Sequence, residues 1–169
     1  MRMLTGIRFL LLLAALPALR ADPANGFGLT VGTVSASQGG VASTGGSLGA
    51  DAQFCLKGGT WSINPYLMIS MEKEKDGSEK RSDNLGGVQF RRWVGPVYFG
   101  PQLFFHDRLL LSGGNVTNSQ YGPGAGVVLG YEARGGFTVG AQLDMLESQF
   151  LNTVDRRNAV RVYLGYRWH

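Results

Sequence analysis

The sequence predicts an all-β protein: an eight-stranded antiparallel up-and-down transmembrane β-barrel, preceded by a signal peptide. Three observations predict it. Residues 1–21 have the layout of a secretory leader, eight segments alternate apolar and polar residues with a period of two, and the connections between them alternate in length.

The leader comes first because it is not part of the fold. Arg2 and Arg8 give a positive start, and "FLLLLAALPAL" (9–19) follows as an uncharged apolar run. That run is shorter than the roughly 20 residues a membrane helix needs, and Ala18 and Ala21 supply a cleavage site after Ala21. The expected organisation is a signal peptide at 1–21 and one barrel domain at 22–169, secreted through the inner membrane. Cleavage removes Arg2, Arg8 and Arg20, so 13 basic residues face 12 acidic ones and the net charge falls from +4 to +1. The basicity belongs to the leader and argues against a nucleic-acid partner. A single cysteine, Cys55, excludes an intramolecular disulfide framework, and its strand position predicts a buried, inert thiol.

The strands follow in order. The first carries Phe27, Leu29 and Val31 on one face, and the second Leu48, Ala50, Ala52, Phe54 and Leu56. The third runs from Trp61 through Ile63, Leu67 and Ile69 to Met71; the fourth, the least regular, shows only Val88 and Phe90. Val97, Phe99, Leu103 and Phe105 mark the fifth, and Tyr121, Ala125, Val127, Leu129 and Tyr131 the sixth. Phe137, Val139, Ala141, Leu143 and Met145 mark the seventh, and the chain closes on Val162, Leu164, Tyr166 and Trp168. Eight is an even number, and each segment suits the roughly 9–11 residues of a tilted membrane strand.

The opposite rows are polar or small: Asp51 and Gln53, Ser62 and Asn64, Gln89 and Arg91, Gln102, Gln142 and Asp144, Arg161 and Arg167. The sixth strand offers Gly122, Gly124, Gly126 and Gly130 on this side. An eight-stranded barrel is just wide enough for packed side chains, so glycine on one strand makes room for long residues opposite. This predicts a filled polar interior with the apolar rows outside. Short connections at 57–59, 94–95 and 132–136 alternate with long polar ones at 36–45, 72–83, 107–119 and 147–156, which predicts tight turns at one end and four surface loops at the other. Prolines 65, 101 and 123 fall inside strands, where a missing ladder donor predicts bulges.

Phe27, Trp61, Tyr131, Phe137 and Trp168 gather near the short-turn end, as interfacial aromatics do. With the signal peptide, the eight strands and the aromatic terminal strand "RVYLGYRWH" (161–169), the chain resembles the small eight-stranded outer-membrane barrels of the OmpX, Opa and OmpA-transmembrane-domain type. The resemblance covers the whole mature chain and is one of pattern. It implies a bacterial outer-membrane location, periplasmic turns, surface loops with structural or recognition roles, contact with outer-membrane lipids including lipopolysaccharide, and reading of the last strand by the barrel-assembly machinery. Here His169 follows the terminal aromatic, a departure from the family pattern.

Motifs with chemical potential are few. "GPGAGVVLG" (122–130) lacks the Lys-Ser/Thr of a phosphate loop and sits in an alternating strand. "MEKEKDGSEKRSD" (71–83) holds five acidic and four basic residues from Glu72 to Asp83, which reads as a solvated loop top; its functional reading is contact of Lys73, Lys75, Lys80 and Arg81 with lipopolysaccharide phosphates or an extracellular ligand. Leu109, Leu110 and Leu111 are unusually apolar for a loop and fit a strand extension, a membrane-surface contact or a partner contact equally. Pairing the fourth and fifth strands around 94–95 sets Asp83 opposite His106 with Ser82 beside it, the parts of an activated nucleophile. Parity points His106 inward, and no signature of a lipid A deacylase or palmitoyltransferase surrounds it. Asp144 and Arg161 share interior parity and fall across from each other, which predicts an interior ion pair. No metal-ligand cluster or cofactor motif is present. The expected function is therefore a non-enzymatic outer-membrane barrel with recognition at its loops. The alternatives are a lipid A-modifying hydrolase or acyltransferase centred on His106, and a narrow pore.

Overall fold

The computed structural model describes residues 23–75, 77, 80–112, 115–150 and 153–169; the predicted signal peptide lies outside them. Eight strands follow one another in chain order: β1 (Gly26–Gln38), β2 (Val41–Cys55), β3 (Trp61–Glu74), β4 (Lys80–Val94), β5 (Val97–Ser112), β6 (Asn115–Glu132), β7 (Phe137–Phe150) and β8 (Thr153–Trp168). Each pairs antiparallel with its neighbours, and β1 closes on β8 from Phe27–Trp168 to Gln38–Arg157. Closure leaves no sheet edge along the shared length of the strands, the arrangement that lets a β-protein cross a bilayer.

Alternation places the rows. Leu29, Leu48, Leu67, Leu103, Val127, Leu143 and Leu164 are exposed on the outer wall, whereas Asp51, Asn64, Gln89, Gln102, Asp144 and Arg161 are buried inside. Ten residue steps separate outward Trp61 from outward Met71. At about 3.3 Å per step and a tilt near 40° that spans roughly 25 Å, the height of a membrane barrel's apolar band. The fourth strand looked irregular because its inner row includes Leu85 and Trp93 and its outer row Asn84 and Arg92.

Two expectations need correction. The four long loops are largely strand: ladders continue to Gln38–Val41, Lys73–Lys80, Ser112–Asn115 and Phe150–Thr153. The polar residues there keep the period of two, and their inner row buries charges against one another. Between β1 and β2 only Gly39 and Gly40 remain, with φ of 57° and 84°; that left-handed pair makes the tight hairpin turn glycine favours.

The prolines do not make bulges. The β2–β3 ladder skips the two pairs that Pro65 and Asn64 would make, the β4–β5 ladder skips those of Pro101 and Gly100, and the β6–β7 ladder those of Gly122 and Pro123. The register is the same on both sides of each gap, because a proline lacks the ladder donor but inserts no residue. The register shift lies elsewhere, in β5–β6 between Leu110 and Leu111.

Candidate functional site: the barrel lumen and its rim

The lumen is built in layers. At the far end, away from the chain termini, Arg157 lies between Glu72 and Asp83 and bonds both, while Arg108 Nε donates to Asp83 Oδ1 at 2.8 Å. Ser43 Oγ donates to Glu72 Oε2 at 2.6 Å, and Gln38 accepts from Arg108 and Arg81. The next layer is apolar: Val34, Met68, Leu85, Phe104 and Leu146 pack together with Tyr66, Ala36 and Ala159. The expected polar interior is thus interrupted by an apolar layer.

A second polar layer fills the half toward the termini. Arg161 pairs with Asp144, which also accepts from Gln102; Gln89 Nε2 donates to Gln102 Oε1 at 2.9 Å, and Arg91 Nε donates to Gln89 at 2.9 Å. Gln142 is the direct register partner of Arg161, so Asp144 sits diagonally across from it. Arg167 bridges Asp51 at 2.7 Å and Glu132 at 2.9 Å, and His169 Nε2 closes on Glu132 at 3.3 Å. Arg91 also stacks over the Tyr98 ring, 4.4 Å from its centroid, and Tyr98 shares a 2.8 Å hydroxyl contact with Tyr163.

Glycines make room for these side chains. Tyr98 faces Gly130, Phe104 faces Gly124 and Tyr163 faces Gly140 as register partners. A Cβ on those glycines would lie 2.3, 2.1 and 2.4 Å from the opposing side chains. Among the described residues, five buried arginines (91, 108, 157, 161, 167) meet five buried carboxylates (51, 72, 83, 132, 144), so the interior is electrically balanced. Arginine suits this role because its planar fork bonds two carboxylates at once and stays charged. The cavity beside Asp51, Tyr66, Gln89, Arg91 and Tyr163 measures about 20 Å³, room for about one water molecule.

The three catalytic candidates do not assemble. Strands β4 and β5 turn at Gly95–Pro96, not 94–95, so Asp83 faces Arg108 and His106 faces Leu85. Asp83 is taken up by two arginines. Ser82 lies on the outer row, with register partners Met71 and Leu109, while His106 is fully buried inside and its Nε2–H donates to the Glu147 carbonyl oxygen at 3.2 Å. The wall of the barrel separates hydroxyl from imidazole.

At the rim, Lys73 and Lys80 are exposed register partners, and Lys75 is exposed beside them. Arg81 instead turns inward to Glu74 and Gln38. Leu109 and Leu111 are half-buried on the outer row beside Ser82 and Lys80, while Leu110 has inner parity; all three extend β5. At the other end Phe27, Trp61, Tyr131, Phe137 and Trp168 all face outward, Phe27 stacking on Trp168 at 6.4 Å and Arg92 lying 5.6 Å over Trp61. Cys55 is half-exposed, not buried, because it sits at the last residue of β2.

This architecture has solved counterparts. Neisserial surface protein A matches with a TM-score of 0.61 at 16% identity, over 85% of this chain and 95% of that one. Ail, the attachment invasion locus protein of Yersinia pestis, solved with the heparin analogue sucrose octasulfate, matches at 0.56 and 12% identity over 86% and 100%. Its backbone structure in a phospholipid bilayer nanodisc gives 0.50 and 11% identity over the same shares. No protein-family model matches the chain, nor does any curated protein sequence. The fold is that of the small outer-membrane barrels.

Within that small-barrel fold, the sequence reading missed the far-end cluster. Glu72, Asp83 and Arg108 fall in the expected loops 72–83 and 107–119, and Arg157 falls just beyond the expected loop 147–156, before the closing strand's marked row. Their common inner parity was the signal: each lies an even number of residues beyond an inward residue of its own strand, as Glu72 does beyond Tyr66 and Arg108 beyond Phe104.

Proposed function

We propose that the protein is a non-enzymatic barrel of the bacterial outer membrane, exported by its leader and inserted through its terminal strand. The observation that carries this reading is the inversion of the fold: a continuous apolar outer wall surrounds a charge-balanced, filled lumen. A soluble β-barrel would place its apolar row inside. The terminal strand supports insertion, since Trp168 faces outward while His169 is held back at the mouth by Glu132.

Recognition falls to the far rim. Lys73 and Lys80 sit directly opposite each other on the outer face, just beyond Met71 at the edge of the apolar band. Like charges directly opposite are destabilising across a ladder, so the pair gains from an anion between them. Their height matches lipid headgroups, which favours the phosphates of lipopolysaccharide or another sulfated or phosphorylated polyanion. Structural and adhesive roles at the cell envelope follow from such contacts.

Fractionation tests the reading. The protein is expected with outer membranes and to migrate differently on gels when boiled and unboiled; recovery as a soluble periplasmic monomer overturns it.

A further inference from the structure

The outer wall is not uniformly convex. Two adjoining depressions of about 440 Å³ each cross β6, β7 and β8, sharing Ala125, Met145 and Asn158. Their floor is low because the outward residues of β6 are small here, Pro123 and Ala125, while Leu103 on β5 and Met145 on β7 stand up on either side. The upper depression opens at the Pro123 gap, where β6 and β7 do not pair. Elsewhere across β6, β7 and β8 the ladders are continuous. Unpaired backbone within an apolar band is costly unless something satisfies it, and His106 reaches the Glu147 carbonyl only from the inside.

The groove is amphipathic along its length. Its lower part is lined by Val127, Leu143 and Val160. Its upper end carries Asn158 and Arg156, with Arg156 83% exposed and 3.2 Å from the half-exposed carboxylate of Glu147. An exposed pair of this kind is weak, so a doubly charged phosphate can displace the carboxylate.

We propose that this groove is a binding site for one outer-leaflet membrane lipid. An acyl chain lies along Pro123, Ala125 and Val127, and its phosphate meets Arg156 and Asn158 at the rim. Continuity of the groove with the apolar band selects a lipid tail over a peptide, and the arginine at the open end selects an anionic head. The inference rests on the membrane reading above, which fractionation decides separately.

The test uses lysophosphatidic acid, one chain and one phosphate, added to the detergent-solubilised full-length barrel and read by native mass spectrometry. Heat-modifiable migration confirms that each variant is folded. The parent is expected to retain one lipid per barrel and to prefer it over lysophosphatidylcholine. Ala125→Trp, which fills the groove from a lipid-facing position, should reduce retention at least tenfold, and Arg156→Gln should reduce it several-fold and abolish the headgroup preference. Leu48→Trp, equally lipid-facing but across the barrel on β2, should leave retention unchanged. A parent without a one-to-one adduct overturns the proposal. So does equal loss in Ala125→Trp and Leu48→Trp, which would mean unspecific coating of the wall.

Discussion

Arg108 and Asp83 face each other across β4 and β5, with Nε 2.8 Å from Oδ1 and both side chains sealed from solvent. The carboxylate that a catalytic reading would place beside His106 is instead shared between two buried arginines. Asp83→Asn should therefore lower the stability of the barrel by about 3–5 kcal/mol, because it leaves Arg108 and Arg157 short of charge in a dry lumen. Ser82→Ala, on the outer row, should change it by less than about 0.5 kcal/mol. Urea unfolding in lipid vesicles measures both.

Asp144 and Arg161 form the corresponding pair of the second polar layer. Asp144→Asn and Arg161→Gln should each destabilise clearly, and the double variant should lose less than the two singles summed, since contacting residues are energetically coupled. Removing the charge of exposed Lys75 should do almost nothing. Additive singles would mean that the pair contributes no interaction of its own.

Tyr98 and Gly130 test the filling of the lumen. Gly130→Ala places a methyl group against the hydroxyl end of the Tyr98 ring, and the overpacking should cost about 1–3 kcal/mol. Combining it with Tyr98→Ala should recover none of the lost hydroxyl contacts but should relieve the clash. The double variant is then expected to be more stable than the two separate losses predict, as read from unfolding midpoints.

Closure and chemistry give a fourth expectation. The apolar layer around Met68, Leu85 and Phe104 blocks the axis, so planar-bilayer recordings of the parent should show no steady ohmic conductance. Overproducing the parent or His106→Ala should leave lipid A identical by mass spectrometry. A change produced by the parent and lost in the variant would favour the enzymatic reading.

At the rim, Lys73→Thr should relieve the opposition to Lys80 and stabilise the ladder by about 0.2–1 kcal/mol. The same change should weaken retention on a heparin column and lower the salt at which the protein elutes. Unchanged elution would remove the lysine pair from the recognition surface.

The period-two rows of β1 to β8 are local information. A side chain's face follows from its position in its own strand, so Leu67 outside and Asn64 inside were legible from the sequence, as were the barrel class and the glycine-for-bulk exchange. The closeness of Asp144 to Arg161 was legible too, because they belong to one hairpin of strands adjacent in the chain. Where strands end was not. Glu72 and Asp83 look like loop residues until Arg157, 85 and 74 positions away, arrives between them. That meeting depends on closure of β1 onto β8, which carries the far ends of β3, β4 and β8 into one lumen. The register of β4 on β5 was likewise set by a single turn: moving it from 94–95 to 95–96 exchanges His106 for Arg108 opposite Asp83. The gaps at Pro65, Pro101 and Pro123 complete the contrast. Sequence shows that a donor is missing, but only the closed sheet decides which ladder loses pairing, since each proline stands between two neighbours and breaks with one of them.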